Sequence, residues 1–211
     1  MIDVHAWLHD RFPEVYRPRK PGPKHVVMEL PQCGRHDLAQ WTAQWGFTTG
    51  AEIGVDLGRY SKILLDENPA LTLIGVDAWV GKQGPSRRTV AVMAMEPYGD
   101  RSHMVHGLSV EAALLVPDAS LDFVYIDADH QFSAVVADLA AWEPKVRSGG
   151  VVSGHDYFYG RDSRGHRPMH IIEAVHGWAA SYRRELCILG RKAIEPGDVR
   201  DRPRSWMWVK P

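Results

Sequence analysis

The 211 residues are enough for one domain, and a domain of this size buries roughly 70% of its unfolded surface. The hydrophobic fraction of 45%, the charged fraction of 24% and the formal net charge of −1 are ordinary for a globular protein and give no overall attraction to nucleic acid or to an anionic membrane. Two cysteines, Cys33 and Cys187, exclude a disulfide framework and a cysteine metal site.

The first twenty residues lack the apolar core of a signal peptide, and no apolar run approaches the roughly 20 residues that span a bilayer. We therefore expect a cytoplasmic protein without a membrane partner. Residues 11–35 are rich in proline, which has no backbone N–H and resists helix formation. We predict that residues 11–35 are irregular and that residues 1–35 form an N-terminal arm across the surface of a domain formed by residues 36–211. A lid over a substrate site is the alternative.

After the arm, predicted strands and helices alternate. The predicted strands are 51–55, 71–76, 103–106, 121–126, 151–152, 186–189 and 206–209. The predicted helices are 36–45, 60–67, 87–96, 110–116, 131–142 and 169–182. This alternation predicts a largely parallel sheet covered on both faces, in which ligands bind beyond the carboxyl ends of the strands.

The first predicted strand runs into a glycine loop, and the second ends at an acid. Gly54 and Gly58 allow a tight turn and the close approach of a ligand, and the next helix directs its N-terminal amides at that ligand. Asp77 is placed to accept hydrogen bonds from both hydroxyls of a ribose. An ordinary turn or a loop cap explains each feature alone, but together they indicate a nucleoside-bearing ligand.

Acids and histidines follow the next two central strands. Asp127 and His130 come after the fourth predicted strand, and His155 and Asp156 after the fifth. Adjacent strands lie about 4.8 Å apart, so their ends can converge. Asp127, His155 and Asp156 could then hold one divalent cation with His130 beside it as a base. The alternative is that the two acids only bind water and cap helices.

Four segments resemble, in order, the motifs of class I S-adenosylmethionine-dependent methyltransferases: AEIGVDLGRYSKILL from residue 51, IGVDAW ending at Trp79, LDFVYIDADH ending at His130, and SGGVVSGHDY ending at Tyr157. They are most similar to small-molecule O-methyltransferases of the macrolide-sugar and cephalosporin-pathway group. The resemblance covers residues 36–211. It implies a Rossmann-like, doubly wound sheet of seven strands, mostly parallel with an antiparallel last strand, and helices on both faces.

The resemblance also implies methyl transfer from S-adenosyl-L-methionine to a hydroxyl of a small molecule, such as a natural product or a sugar. Glu52 and Gly54 would contact the methionine part, Asp77 the ribose, and residues 107–109 the adenine. The full set of implied cofactor residues is Glu52, Gly54, Val55, Gly58, Ser61, Asp77, Ala78, Gly107, Leu108, Ser109 and Asp127. Leu108 stands where the family often has an acid, which leaves the contact to the adenine amino group unassigned.

The metal-dependent branch of this family uses acids at the positions of Asp127, His155 and Asp156. The histidine at position 155 is a departure that disfavours Mg²⁺, which prefers oxygen, and leaves room for Mn²⁺ or a softer ion. By this resemblance the catalytic residues are Asp127, His130 and His155.

Two other functions compete with methyl transfer. A nicotinamide-dependent oxidoreductase is disfavoured because the glycine spacing is not G-x-G-x-x-G. A non-catalytic cofactor-binding protein is disfavoured because polar residues follow both central strands. The identity of the methyl acceptor and self-association into a homo-oligomer are left open by the sequence.

Overall fold

The computed structural model describes residues 2–16, 27–161, 167–190 and 203–211. The strands are β1 (Val27–Leu30), β2 (Thr49–Ile53), β3 (Thr72–Asp77), β4 (Ser102–His106), β5 (Leu121–Ile126), β6 (Val146–Tyr157), β7 (Leu186–Leu189) and β8 (Arg204–Val209). The α-helices are α1 (Val4–Arg11), α2 (Arg35–Gln44), α3 (Arg59–Glu67), α4 (Gly84–Met95), α5 (Ser109–Ala113), α6 (Phe132–Trp142) and α7 (Ile171–Tyr182). Two short 3₁₀ helices cover Glu96–Arg101 and Glu143–Lys145.

The strands form a single sheet in the order β1-β7-β8-β6-β5-β2-β3-β4. Its pairs are parallel except those of β8, which runs antiparallel to both β6 and β7. This confirms the predicted α/β class and the antiparallel last strand. The sheet has eight strands rather than seven, because β1 pairs with β7 and adds an edge strand to the predicted set.

Two elements that we did not predict, α1 and β1, lie in the N-terminal arm, and β1 falls in its predicted irregular part. In α1, Val4 and Leu8 are one helical turn apart and both are buried, and Asp3 caps the helix by accepting a hydrogen bond from the Ala6 N–H. In β1, Met28 and Leu30 alternate with exposed residues. The prediction averaged these short patterns with the prolines between them, several of which lie in residues 17–26, outside the described part of the chain.

Helices cover both faces of the sheet, as predicted. On one face α1, α2 and α3 enclose a core that includes the fully buried Trp41 and Trp45. On the other face α5, α6 and α7 enclose a second core built around Trp142, Trp206 and Trp208. No helix in the described ranges has the length and apolar character needed to cross a bilayer.

The strand order reverses between β2 and β5. From β2 the chain moves outward through β3 to β4 and then returns to β5 on the opposite side of β2. In doubly wound sheets the two loops diverge at such a point and leave a crevice for a ligand beyond the carboxyl ends of the strands. The residues after β2 and β5 therefore border the expected binding site.

We predict that Leu8→Ala lowers the free energy of unfolding by about 2–4 kcal/mol, because it removes a fully buried side chain and leaves a cavity. Denaturation in urea would measure the change. Ile2→Ala, at a residue 43% exposed, is the matched control and should change stability by less than about 0.5 kcal/mol. Equal stability of the Leu8→Ala variant and the wild type would mean that α1 is not part of the core.

Candidate functional site

Two glycines shape the loop after β2, each for a different reason. Gly54 has a φ of +96°, and a Cβ atom there would lie 2.0 Å from the carbonyl oxygen of Asp127. Gly58 has a φ of +75° and precedes the first residue of α3. We expected Gly54 to make room for a ligand, but the group that approaches it is the backbone of the loop after β5.

Glu52 is a buried acid at the carboxyl end of β2. It is 2% exposed, and Ser61 of α3 donates a hydrogen bond to its carboxylate. Burial, with a further contribution from the charge of Asp127, raises the pKa of Glu52 to about 8. The structure thus brings together two predicted cofactor residues, Glu52 and Ser61. The negative charge of Glu52, beneath the glycine loop, is poorly compensated.

Asp77, at the end of β3, fastens two loops to each other. One carboxylate oxygen accepts a hydrogen bond from the Asp56 N–H at 2.8 Å, and the other accepts one from the Trp79 N–H at 2.6 Å. Each oxygen retains a second lone pair for another donor. The acid is therefore a structural clamp as well as the predicted ribose ligand.

Three residues that we did not select from the sequence also lie near the carboxyl ends of β2 and β3: Asp56, Trp79 and Arg87. The Trp79 indole N–H donates to the Asp56 carbonyl at 2.8 Å, and Arg87 of α4 forms an ion pair with the Asp56 carboxylate. Val55, a predicted cofactor residue, is buried against Trp79 and Ala91. The sequence offered one signal for two of them, their position: Asp56 directly follows the predicted strand 51–55, and Trp79 lies three residues beyond the predicted strand 71–76.

The residues predicted to border the adenine lie after β3 and β4. His106 Nε2 donates to the Ala78 carbonyl at 3.1 Å, and the Gly107 N–H donates to the Asp77 carbonyl at 3.1 Å. Leu108 is exposed, whereas the Ser109 hydroxyl accepts a hydrogen bond from the Trp142 indole at 2.9 Å. Ala78, Gly107 and Leu108 thus lie at the carboxyl ends of the strands, and the Ser109 side chain is directed toward α6.

On the other side of the switch point, two carboxylates and two imidazoles form a ring. His130 Nε2 lies 2.8 Å from Asp156 Oδ2 and 3.7 Å from Asp127 Oδ1. His155 Nδ1 lies 3.1 Å from Asp156 Oδ1 and 3.8 Å from Asp127 Oδ2. Acids and bases alternate, so each imidazole faces one oxygen of each carboxylate. The structure brings together all four residues that we predicted to meet here.

Three of the six described non-glycine residues with positive φ lie near the carboxyl ends of β2, β3 and β6. Asp56, Trp79 and Asp156 all have positive φ values, of +53°, +40° and +58°. This region is unfavourable for residues with a side chain, and such strain persists only where the surrounding structure enforces it. Residues of this kind are typical of ligand-binding and active sites.

Residues 51–157, a little more than half of the chain, match the model of a protein family described as a methyltransferase domain. The chain belongs to this family. The match runs from β2 to the end of β6 and so includes both halves of the edge just described. It confirms the recognition of the chain as a class I methyltransferase and decides against the oxidoreductase and the non-catalytic binding protein. No curated protein matches the sequence significantly.

Solved structures share the fold of this methyltransferase. An O-methyltransferase from Bacillus cereus in complex with SAH is 16% identical with a TM-score of 0.60, and the match covers 98% of this chain and 97% of that one. The TDP-rhamnose 3′-O-methyltransferase of calicheamicin biosynthesis is 16% identical with a TM-score of 0.54, over 83% of this chain and 76% of that one. The 1,6-didemethyltoxoflavin-N1-methyltransferase of Burkholderia thailandensis, with bound 1,6-didemethyltoxoflavin and S-adenosylhomocysteine, has the same identity and TM-score over 83% and 77%.

A base must be neutral to accept a proton, but the surroundings of His130 in the methyltransferase favour its protonated form. Burial alone would lower the pKa of His130, but the carboxylates of Asp127 and Asp156 raise it to about 10. Burial alone would raise the pKa of Asp156, and the two imidazoles hold it below its usual range. Without a further cation, His130 is thus an imidazolium at neutral pH, and the spacing along the sequence could not reveal this.

The ring of acids and imidazoles also has the composition of a cation site. Donor atoms of Asp127, His130 and Asp156 all lie within 4.8 Å of one another. His155, which we placed among the ligands instead of His130, approaches the same two carboxylates from the opposite oxygens. Two carboxylates and an imidazole fit a divalent ion that accepts both oxygen and nitrogen.

We predict that Glu52→Gln stabilises the ligand-free methyltransferase above about pH 5, and increasingly so up to pH 8. Folded Glu52 keeps its proton up to about pH 8, whereas an unfolded glutamate releases it near pH 4.3, so rising pH costs the wild type stability in this window. The variant should be more stable by roughly 2–4 kcal/mol at pH 8. Thermal melts at a series of pH values would measure the difference.

Glu173→Gln, at an exposed position on α7, is the control and should give a curve parallel to that of the wild type. If the Glu52→Gln curve is also parallel to the wild-type curve, the carboxyl of Glu52 does not titrate as its burial requires.

Proposed function

We propose that this methyltransferase transfers the methyl group of S-adenosyl-L-methionine to a hydroxyl of a small molecule. The observation that carries the proposal is the contact between Gly54 and Asp127 at the switch point. It joins the cofactor loop, with Glu52 and Asp77 beside it, to the ring of Asp127, His130, His155 and Asp156. A methyl donor and a group that accepts a proton from the acceptor are thereby adjacent.

The electrostatics of the cofactor side suit this donor. S-adenosylmethionine carries a sulfonium and an ammonium group, and Glu52, Asp77 and Asp127 present three acids at the ends of neighbouring strands. A buried acid with a raised pKa gains stability when a cationic group neutralises it. We propose that Glu52 faces the methionine part of the cofactor and that Asp77 accepts from the ribose hydroxyls.

Because the methyl group is already activated, the protein mainly has to align the two substrates and remove one proton. We assign the proton acceptor to His130, since its side chain is 26% exposed on the open side of the ring, whereas that of His155 is 8% exposed and lies beneath. Asp127 and Asp156 orient the ring of His130 through its Nε2 atom.

A divalent cation fits between the two carboxylates, and we propose Asp127, His155 and Asp156 as its side-chain ligands. When bound, such an ion polarises an acceptor hydroxyl as a Lewis acid and lowers its pKa. The charge of the two carboxylates raises the pKa of His130, and it would be compensated if they held such an ion. A neutral His130 near pH 7 then requires the cation, so the assignments of base and ligands support each other.

The small-molecule acceptor is supported by the solved structures of similar fold, which include a sugar-nucleotide O-methyltransferase and an enzyme with a bound heterocycle. For the domain organisation, we propose that α1 and β1, the described elements of the N-terminal arm, belong to the catalytic domain and that α1 is not a lid. His5 of α1 pairs with Glu185, directly before β7, so α1 lies at the amino ends of the strands and away from the proposed site.

We predict that Asp77→Asn binds S-adenosylhomocysteine at least about 10-fold more weakly than the wild type, because a neutral amide replaces a charged acceptor of the ribose hydroxyls. Isothermal titration calorimetry would measure both affinities. Asp118→Asn, at an exposed ion pair with Lys145 remote from the carboxyl edge, is the matched control and should bind like the wild type. Unchanged affinity in the Asp77→Asn protein would remove the ribose role.

We predict that His130→Gln lowers the rate of methyl transfer by about 10²–10⁴ and leaves the affinity for S-adenosylhomocysteine within about threefold of the wild type. Transfer of a labelled methyl group to a panel of catechols and nucleotide sugars would provide the rate. His103→Gln, at an exposed position of the edge strand β4, should have no effect. A His130→Gln variant with the full rate contradicts the assignment of the base.

A further inference from the structure

The cation site proposed above contains too few carboxylates for an all-oxygen set of side-chain ligands. Among the described residues, the donors that meet in the ring are the carboxylates of Asp127 and Asp156 and the imidazoles of His130 and His155. The nearest further acid along the chain is Asp129, and it is turned outward. One of its oxygens accepts from the Gln131 N–H at 2.8 Å, and the other lies 3.7 Å from Arg167. A third side-chain ligand is therefore an imidazole.

His155 is held in place by its surroundings. It belongs to β6, and the Trp206 indole N–H donates to its backbone carbonyl at 3.1 Å. Its side chain is 8% exposed, with Nδ1 directed at the two carboxylates. A nitrogen that is fixed at this position by the sheet cannot be exchanged for an oxygen by a small movement of a loop.

The identity of the donors decides which ions fit. Mg²⁺ requires oxygen ligands in near-octahedral geometry, whereas imidazole suits the divalent ions of the first transition series. We infer that the ring binds a first-row transition-metal ion through Asp127, Asp156 and a histidine nitrogen, and that it discriminates against Mg²⁺. We assign the nitrogen to His155 because this side chain is buried and held by β6. The inference rests on the proposed function for the role of the ion, but the binding itself can be measured without turnover.

Metal-free protein, prepared with a chelator, is titrated calorimetrically with CoCl₂, MnCl₂ and MgCl₂. We expect Co²⁺ to bind at least about 100-fold more tightly than Mg²⁺. In His155→Asp, which supplies an oxygen instead, the ratio of the two dissociation constants should fall at least about 10-fold. Since the chain has eleven histidines, Asp127→Asn/Asp156→Asn serves as the matched control: it removes the carboxylates of the ring and keeps every imidazole.

A second readout does not depend on any substitution. Pulsed electron paramagnetic resonance of bound Mn²⁺ detects a nitrogen that is directly coordinated to the ion. Protein labelled with ¹⁵N-histidine should change the nitrogen modulation, and the change should be absent in the Asp127→Asn/Asp156→Asn variant. This measurement decides the matter even if His155→Asp fails to fold.

The inference is overturned by equal affinity for Mg²⁺ and Co²⁺, by the absence of a histidine signal from bound Mn²⁺, or by tight binding that survives in Asp127→Asn/Asp156→Asn. A fall of the affinity ratio in His130→Asp but not in His155→Asp overturns the assignment to His155 and places the nitrogen on the other side of the ring. Binding of S-adenosylhomocysteine to the same samples tests the methyltransferase site separately. If it binds while the metal preference is absent, only the inference fails.

Discussion

The contact between the Gly54 backbone and the Asp127 carbonyl governs the geometry of the carboxyl edge. A Cβ atom at residue 54 would lie 2.0 Å from the carbonyl oxygen of Asp127. This oxygen belongs to the backbone, so it cannot rotate away as a side chain can. Hydrogen bonds on either side, from the Gly54 N–H to Val76 and from the Asp127 N–H to Ile53, hold the two loops at this spacing. Any larger residue would have to separate β2 from β5 in the centre of the sheet. The glycine loop and the ring of acids and imidazoles, which we propose as the donor side and the acceptor side, are thus in contact through backbone atoms.

Several features near this contact destabilise the ligand-free protein. Glu52 is buried without a cation in hydrogen-bond contact among the described interactions, and Asp56, Trp79 and Asp156 hold unfavourable backbone conformations. These features oppose folding and are maintained by the two extensive cores on the faces of the sheet. Under the proposed function, a bound cationic cofactor would compensate the negative charge of Glu52. Stability and binding are therefore opposed at this edge, as is common for active sites.

The sequence predicted the central sheet well because its signals are local. β5 and β7 begin and end at the predicted residues, and Glu52, Asp77 and Asp127 lie at strand ends, where polar residues follow apolar runs. The predicted helix at 87–96 begins earlier, at Gly84, because Pro85 is favourable in a first helical turn. α1 and β1 were missed because each is short and flanked by proline-rich sequence. The alternation of acids and imidazoles, and hence the charge of His130, depends on distances between strands that no spacing along the chain encodes.

Trp79 gives this edge an optical property of its own. Its backbone has a positive φ, its indole N–H is bonded to Asp56, and its ring centroid lies 5.8 Å from that of His106 beside the proposed adenine position. Trp41, Trp45 and Trp142 lie deep in the two cores and provide a constant background of emission. An aromatic base seated beside Trp79 would quench its fluorescence with little effect on theirs. If the adenine binds at the proposed position, the emission of Trp79 would allow binding of the cofactor to be followed in real time without a label.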